Sequence, residues 1–141
     1  MRTALGVQLL VAASGLALFA GAASAQTTRN ATVAPGKAAR VAVVTGLKKD
    51  CSVGEVGSIR VMTAPKNGSI VVRGGKLKTP ASFRCPNVET PVQALFYQPN
   101  KNYQGSDEIS YETRSTDGET QTVTVKINVT SKPSGSGIQD L

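Results

Sequence analysis

The ten residues Thr120–Val129 read TQTVTVKINV, and they constrain the fold more than any other stretch of the chain. Val123, Val125, Ile127 and Val129 stand at every second position, with Thr122, Thr124, Lys126 and Asn128 between them. A period of two belongs to a pleated strand, whose successive side chains leave opposite faces. A helix would repeat its apolar positions at three and four residues. Four β-branched residues on one side and polar residues on the other require a sheet with one dry face and one wet face.

The rest of the chain follows the same grammar. Candidate strands cover residues 28–33 and 39–44, separated by Ala34-Pro35-Gly36-Lys37, and residues 58–62 and 69–73, flanking Lys66-Asn67-Gly68. Asn-Gly is a strong hairpin cue. Gly74-Gly75 is read as a turn into residues 76–78, and residues 92–98 form the next strand. In residues 108–114, Ile109 and Tyr111 alternate with Glu108, Ser110 and Glu112, and Asp117-Gly118 turns this strand into Thr120–Val129. Seven or eight short strands with frequent turns predict an all-β, antiparallel sandwich.

The N-terminus reads as an address. Arg2 precedes an apolar run over residues 5–20, and Ala23-Ser24-Ala25 offers the small-x-small pattern of a cleavage site. The expected organisation is a signal peptide over residues 1–25, a domain over residues 26–130 and a flexible Ser/Gly/Pro-rich tail over residues 131–141. Export to the periplasm or beyond follows, and contact with a membrane ends when the leader is cut. An oxidising compartment makes Cys51 and Cys85 a disulfide rather than a redox pair, since no Cys-x-x-Cys spacing is present. Closing that loop contributes roughly 3–4 kcal/mol in the loop-entropy picture.

The spacing Tyr97-x-Pro99, Tyr103-x-Gly105-x-Asp107-x-Ile109-x-Tyr111, together with Ala64-Pro65-Lys66-Asn67-Gly68-Ser69-Ile70 upstream, resembles bacterial cadherin-like, Ig-like domains. The resemblance implies an Ig/cadherin-like sandwich, and it is poorly specific for function. This chain departs from it by standing as one domain and by carrying a cysteine-bearing insert at residues 76–91. The motif also has a physical reading as a structural corner. Pro99 ends its strand because it cannot donate to a ladder. Gly105 permits a positive φ. Asp107 can accept from the amides of the preceding turn, and Tyr111 can bury its ring and direct its hydroxyl to a loop carbonyl.

Composition narrows the chemistry. The chain has no histidine and no tryptophan, so a Ser/His/Asp or Cys/His site cannot be built, and no cofactor is implied. The reading is a non-enzymatic module. Calcium could use oxygen ligands such as Asp107 and Asp117 on the loops from Asn100 to Glu119, although no Asp-x-Asp-x-Asp spacing occurs. Charge is divided along the chain. Residues 26–86 hold eleven basic side chains against Asp50 and Glu55, whereas residues 87–141 hold four against seven acids. Lys48, Lys49, Arg73, Lys76, Lys78 and Arg84, with Arg60 as a possible addition, are the expected basic patch around the disulfide. Such a patch attracts an anionic envelope polymer or an acidic protein. Nucleic acid does not suit an exported chain with few aromatic residues for stacking. The alternative reading is a structural or adhesive Ig-like module stabilised by calcium.

Overall fold

The computed structural model describes residues 25–131. The leader read over residues 1–25 and the tail read over residues 131–141 therefore lie outside the described residues, apart from Ala25 and Ser131. The described residues form seven strands: β1 (Ala25–Val33), β2 (Ala39–Thr45), β3 (Ser58–Thr63), β4 (Gly68–Lys78), β5 (Glu89–Pro99), β6 (Gly105–Arg114) and β7 (Thr120–Val129). They form two sheets, one ordered β1-β7-β6-β3 and the other β2-β5-β4.

The expected apolar comb of β7 is the centre of the core. Val123, Val125, Ile127 and Val129 are all buried, and they pack with Ala31, Val33, Val41, Leu95, Tyr97, Ile109 and Tyr111. Fully burying a side chain of this kind is worth about 1.5–3 kcal/mol, so the four comb residues together contribute about 6–12 kcal/mol, a small share of the gross driving force but comparable to the net stability of a typical domain. The β6–β7 hairpin predicted at Asp117-Gly118 is present, with an unbroken antiparallel register from Gly105↔Val129 to Arg114↔Thr120.

Three local expectations are corrected. First, the sandwich is not wholly antiparallel, because β1 runs parallel to β7 from Ala25↔Gln121 to Val33↔Val129. The turn after β1, with Gly36 at φ 68, carries the chain into the other sheet. Second, Asn67-Gly68 does not close a hairpin: β3 and β4 belong to different sheets, and residues 64–67 cross between them. Gly68 has no positive φ. It is required for space, since a Cβ there would sit 2.6 Å from the Gln98 carbonyl oxygen and 2.7 Å from the Tyr97 ring. Third, Gly74-Gly75 does not turn. β4 runs through both glycines and pairs with β5 from Gly68↔Pro99 to Lys78↔Glu89.

The crossover at residues 64–67 joins β3, at the edge of one sheet, to β4, at the edge of the other, and that flank is thinly covered. Residues 71–76 of β4 are exposed without interruption, on both faces of the strand. Val61 lies opposite the core residue Tyr111, and Val72 lies opposite the core residue Leu95. Cross-strand partners share a face, so both valines belong to the inward side. Yet Val61 is 37 % exposed and Val72 is 43 % exposed.

Candidate functional site

The corner motif is a four-bond hub. Asp107 is the only buried acid among the described residues. Its Oδ1 accepts from the Lys66 amide at 3.0 Å and the Glu108 amide at 2.9 Å. Its Oδ2 accepts from the Asn67 amide at 3.0 Å and the Tyr97 hydroxyl at 2.8 Å. The partners differ from the expected preceding turn. Two of them, the Lys66 and Asn67 amides, come from the crossover 64–67, some forty residues upstream, because β6 extends past the end of β3; Tyr97 reaches across from β5 and Glu108 is the next residue along β6. Burial opposes the charge on Asp107, but these hydrogen bonds together outweigh it and hold the carboxyl below its usual range. Burial first, and the Asp107 bond second, raise the Tyr97 phenol well above its usual range. Tyr111 bridges the sheets, its hydroxyl donating to the Val41 carbonyl of β2 at 3.4 Å rather than to a loop, and burial raises its phenol too. Pro99 ends β5, and Gly105 opens β6 at φ 135.

The two aspartates named as calcium candidates stand apart. Asp107 lies near the start of β6 and Asp117 beyond its end, with about seven strand residues, or roughly 23 Å, between them. Both Asp107 oxygens are already occupied. Among the described residues no group of three acidic or cysteine side chains could hold a metal.

At the opposite end, three loops are tied together. Cys51 and Cys85 are bonded, with Cα atoms 5.5 Å apart, linking the β2–β3 loop to the tip of the β4–β5 hairpin. Cys51 holds a left-handed φ of 67, which costs a non-glycine residue about 1–2 kcal/mol. The Asp50 carboxylate steadies that turn by accepting from the Ser52 amide and hydroxyl. Within the tip, Thr79 is a buried hub that no charge or motif signal marked. Its amide donates to the Val88 carbonyl, its carbonyl accepts from the Asn87 amide, and its hydroxyl accepts from the Val88 amide and donates to the Cys85 carbonyl.

The cations expected to converge divide into two groups. Arg84 is a clamp, its guanidinium donating to the carbonyls of Lys48 at 3.1 Å and Lys49 at 3.2 Å. The Lys49 ammonium pairs with Glu119, which raises its pKa, and its amide donates to Asp117. Thus Lys48, Lys49 and Arg84 do meet at the disulfide, but acids from the β6–β7 turn meet them there. The second group lies on β4. Arg73 stacks over Phe96 at 5.7 Å, Lys76 lies 4.0 Å from Glu89, and Lys78 closes the strand, all three exposed. Arg60 joins neither group. It sits on β3 and pairs with Glu112 at 3.5 Å.

Two clefts remain. One of about 690 Å³ includes Arg29, Val44, Tyr111, Arg84 and Glu119 in its lining. The other, of about 660 Å³, includes Lys66, Ser106, Asp107, Glu108 and Lys126. Asp107 and Glu108 are neighbours on one strand and leave opposite faces, so they do not form a carboxylate pair. Among the described residues no serine hydroxyl is hydrogen-bonded to a lysine ammonium.

No curated protein matches the chain. Among solved structures, the solution structure of Amebosin aligns over 77 % of this chain and 99 % of that one, at 15 % identity and a TM-score of 0.45. The family model of the bacterial Ig domain matches residues 20–128, which resolves the earlier resemblance toward its Ig side. That match runs through all seven strands but for the last residue of β7, and the chain belongs to the bacterial Ig domain family.

Proposed function

We propose that this Ig-type module is non-catalytic, works outside the cytoplasm in the periplasm or after secretion, and binds an anionic partner on the basic flank formed by β4. The partner is an anionic envelope component or an acidic protein. One observation carries the reading: Arg73, Lys76 and Lys78 are exposed on a sheet edge, and among the described residues the one acid paired with them is Glu89, beside Lys76. By contrast, Arg84 is engaged in holding two loops together, and Lys49 is matched by Glu119. The disulfide supports the compartment, because such bonds persist where the surroundings are oxidising.

The test is capture from envelope extract at low and high salt, comparing the wild type with a variant carrying Arg73→Glu, Lys76→Glu and Lys78→Glu. Arg84 is left untouched because its loss would loosen the loops. Salt-sensitive capture by the wild type, absent in the variant, is expected. Equal capture by both would overturn the reading.

A further inference from the structure

We infer that the outer edge of β4 accepts an extended, acidic segment of a partner protein as an added strand of the β2-β5-β4 sheet. That segment's alternate apolar side chains would cover Val61 and Val72. The inference rests on the anionic-partner reading above and specifies its mode.

Three observations lead to it. The first is the backbone. β4 offers eleven residues in unbroken register with β5, without a proline or a bulge, and among the described residues no strand pairs with its other side. An edge of this length presents a row of unpaired amides and carbonyls, which proteins usually blunt. The second is apolar surface. Val61 and Val72 belong to the inward faces of the two edge strands yet remain exposed, beside Met62 at 52 % and Val71 at 45 %. Gly74 and Gly75 leave room beside the strand, since a Cβ at Gly75 would meet nothing within 4 Å. The third is charge. Arg60, Arg73, Lys76 and Lys78 stand on the two edge strands of this flank, against Glu112 and Glu89; Arg73 leaves the outward face of β4, and Lys76 and Lys78 leave the face that carries Val72.

The charge selects the occupant. A second copy pairing antiparallel along the whole of β4 would set Arg73 opposite Arg73 and add its cations to the same flank, which is unfavourable. An acidic strand is attracted instead. A phosphate-bearing polymer could answer the cations, but it has no amides and carbonyls at peptide spacing and no alternate side chains for the valines. Strand addition supplies affinity through the backbone and specificity through alternate side chains.

The test uses synthetic peptides on the unmodified protein. One peptide alternates Glu and Val over eleven residues. A second has the same composition with its acids in one block. Two more repeat the first with N-methyl groups on alternate amides, each blocking one edge. The alternating peptide is expected to bind about tenfold tighter than the block peptide and to slow hydrogen exchange of the β4 amides. One methylated peptide should lose binding and the other keep it. The triple charge reversal should weaken the alternating peptide by about tenfold. If both methylated peptides bind like their parent while charge reversal still weakens them, strand addition is wrong and the anionic-partner reading stands. If charge reversal changes the binding of neither the peptides nor polyglutamate, that reading falls as well. If sedimentation finds a dimer that depends on β4, the occupant is a second copy and the inference is overturned.

Discussion

Replacing Asp107 by Asn tests the corner with almost no change in shape. The carboxylate accepts four hydrogen bonds, two at each oxygen. An amide keeps one acceptor oxygen and places an NH₂ group at the other position. The less costly orientation puts that NH₂ at the Oδ2 position, where the Tyr97 hydroxyl can rotate to accept from it. The Asn67 amide cannot, so one donor is left facing another. An unsatisfied buried donor costs about 1–3 kcal/mol, and the remaining bonds drop from charged to neutral strength, from about 1.5–3 to about 1 kcal/mol each. Relief from burying a charge offsets part of this, leaving about 2–4 kcal/mol of lost stability. The pH dependence gives a second reading of the same residue. The folded carboxyl titrates below its unfolded value of about 3.9, so its contribution is complete above that pH and is lost as pH falls through the folded pKa. Urea unfolding of both proteins at neutral pH and again below about pH 3 is the assay, the difference between them isolating Asp107 from the other carboxylates. The gap should be about 2–4 kcal/mol at neutral pH and should narrow in acid. A neutral-pH gap under about 1 kcal/mol, or one that persists unchanged in acid, would refute the account.

Three further outcomes follow from the same geometry. Replacing Cys51 and Cys85 together by serine removes a cross-link over 34 residues and should lower stability by about 4 kcal/mol by denaturant unfolding. It should also raise hydrogen exchange at Thr79 and Val88, whose bonds hold the hairpin tip. Gly68→Ala pushes a Cβ onto the Gln98 carbonyl and the Tyr97 ring and should cost about 1–3 kcal/mol, measured as a fall in Tm, whereas Gly75→Ala meets open space and should cost little. In a spectrophotometric alkaline titration, Tyr97 and Tyr111 should stay protonated past the usual phenol pKa of about 10 and ionise only as the domain unfolds. Because their folded pKa values are raised, stability is retained below that pH and lost as pH climbs through them.

What the sequence reveals here depends on whether the signal is local. The β7 comb, the Asp117-Gly118 hairpin and the Cys51–Cys85 pair are legible because period, turn chemistry and compartment each act within a few residues or on one residue type. Asn67-Gly68 misleads because two demands on the same dipeptide look alike: a hairpin wants glycine for a positive φ, whereas the Tyr97 ring wants it for lack of a Cβ. Gly74-Gly75 misleads for a related reason, since a glycine pair fits a turn or a bare stretch of extended strand equally well. The parallel β1–β7 pairing has no local cue at all. One cue to the β4 flank was present. Ile70-Val71-Val72 is apolar at three consecutive positions, and a strand with one dry face cannot bury all three.

The charge division along the chain, clear as it is in sequence, takes its meaning from topology. The acids of the second half meet cations of the first: Glu119 meets Lys49, Glu112 meets Arg60 and Glu89 meets Lys76. These exposed pairs add little stability, but they redistribute the field. The loops at the disulfide, richest in cations on paper, become mixed in sign, while β4 keeps its excess. Under the proposed strand addition, the cations there serve two ends at once. A long, unblunted edge with exposed valines invites pairing with its own kind, and a row of Lys and Arg is one of the ways proteins prevent it. The same row attracts a strand of opposite charge. On that proposal, protection from self-association and selection of an acidic partner are one property of Arg73, Lys76 and Lys78, which is why charge reversal at these residues, and not at Arg84, separates a working edge from a passive one.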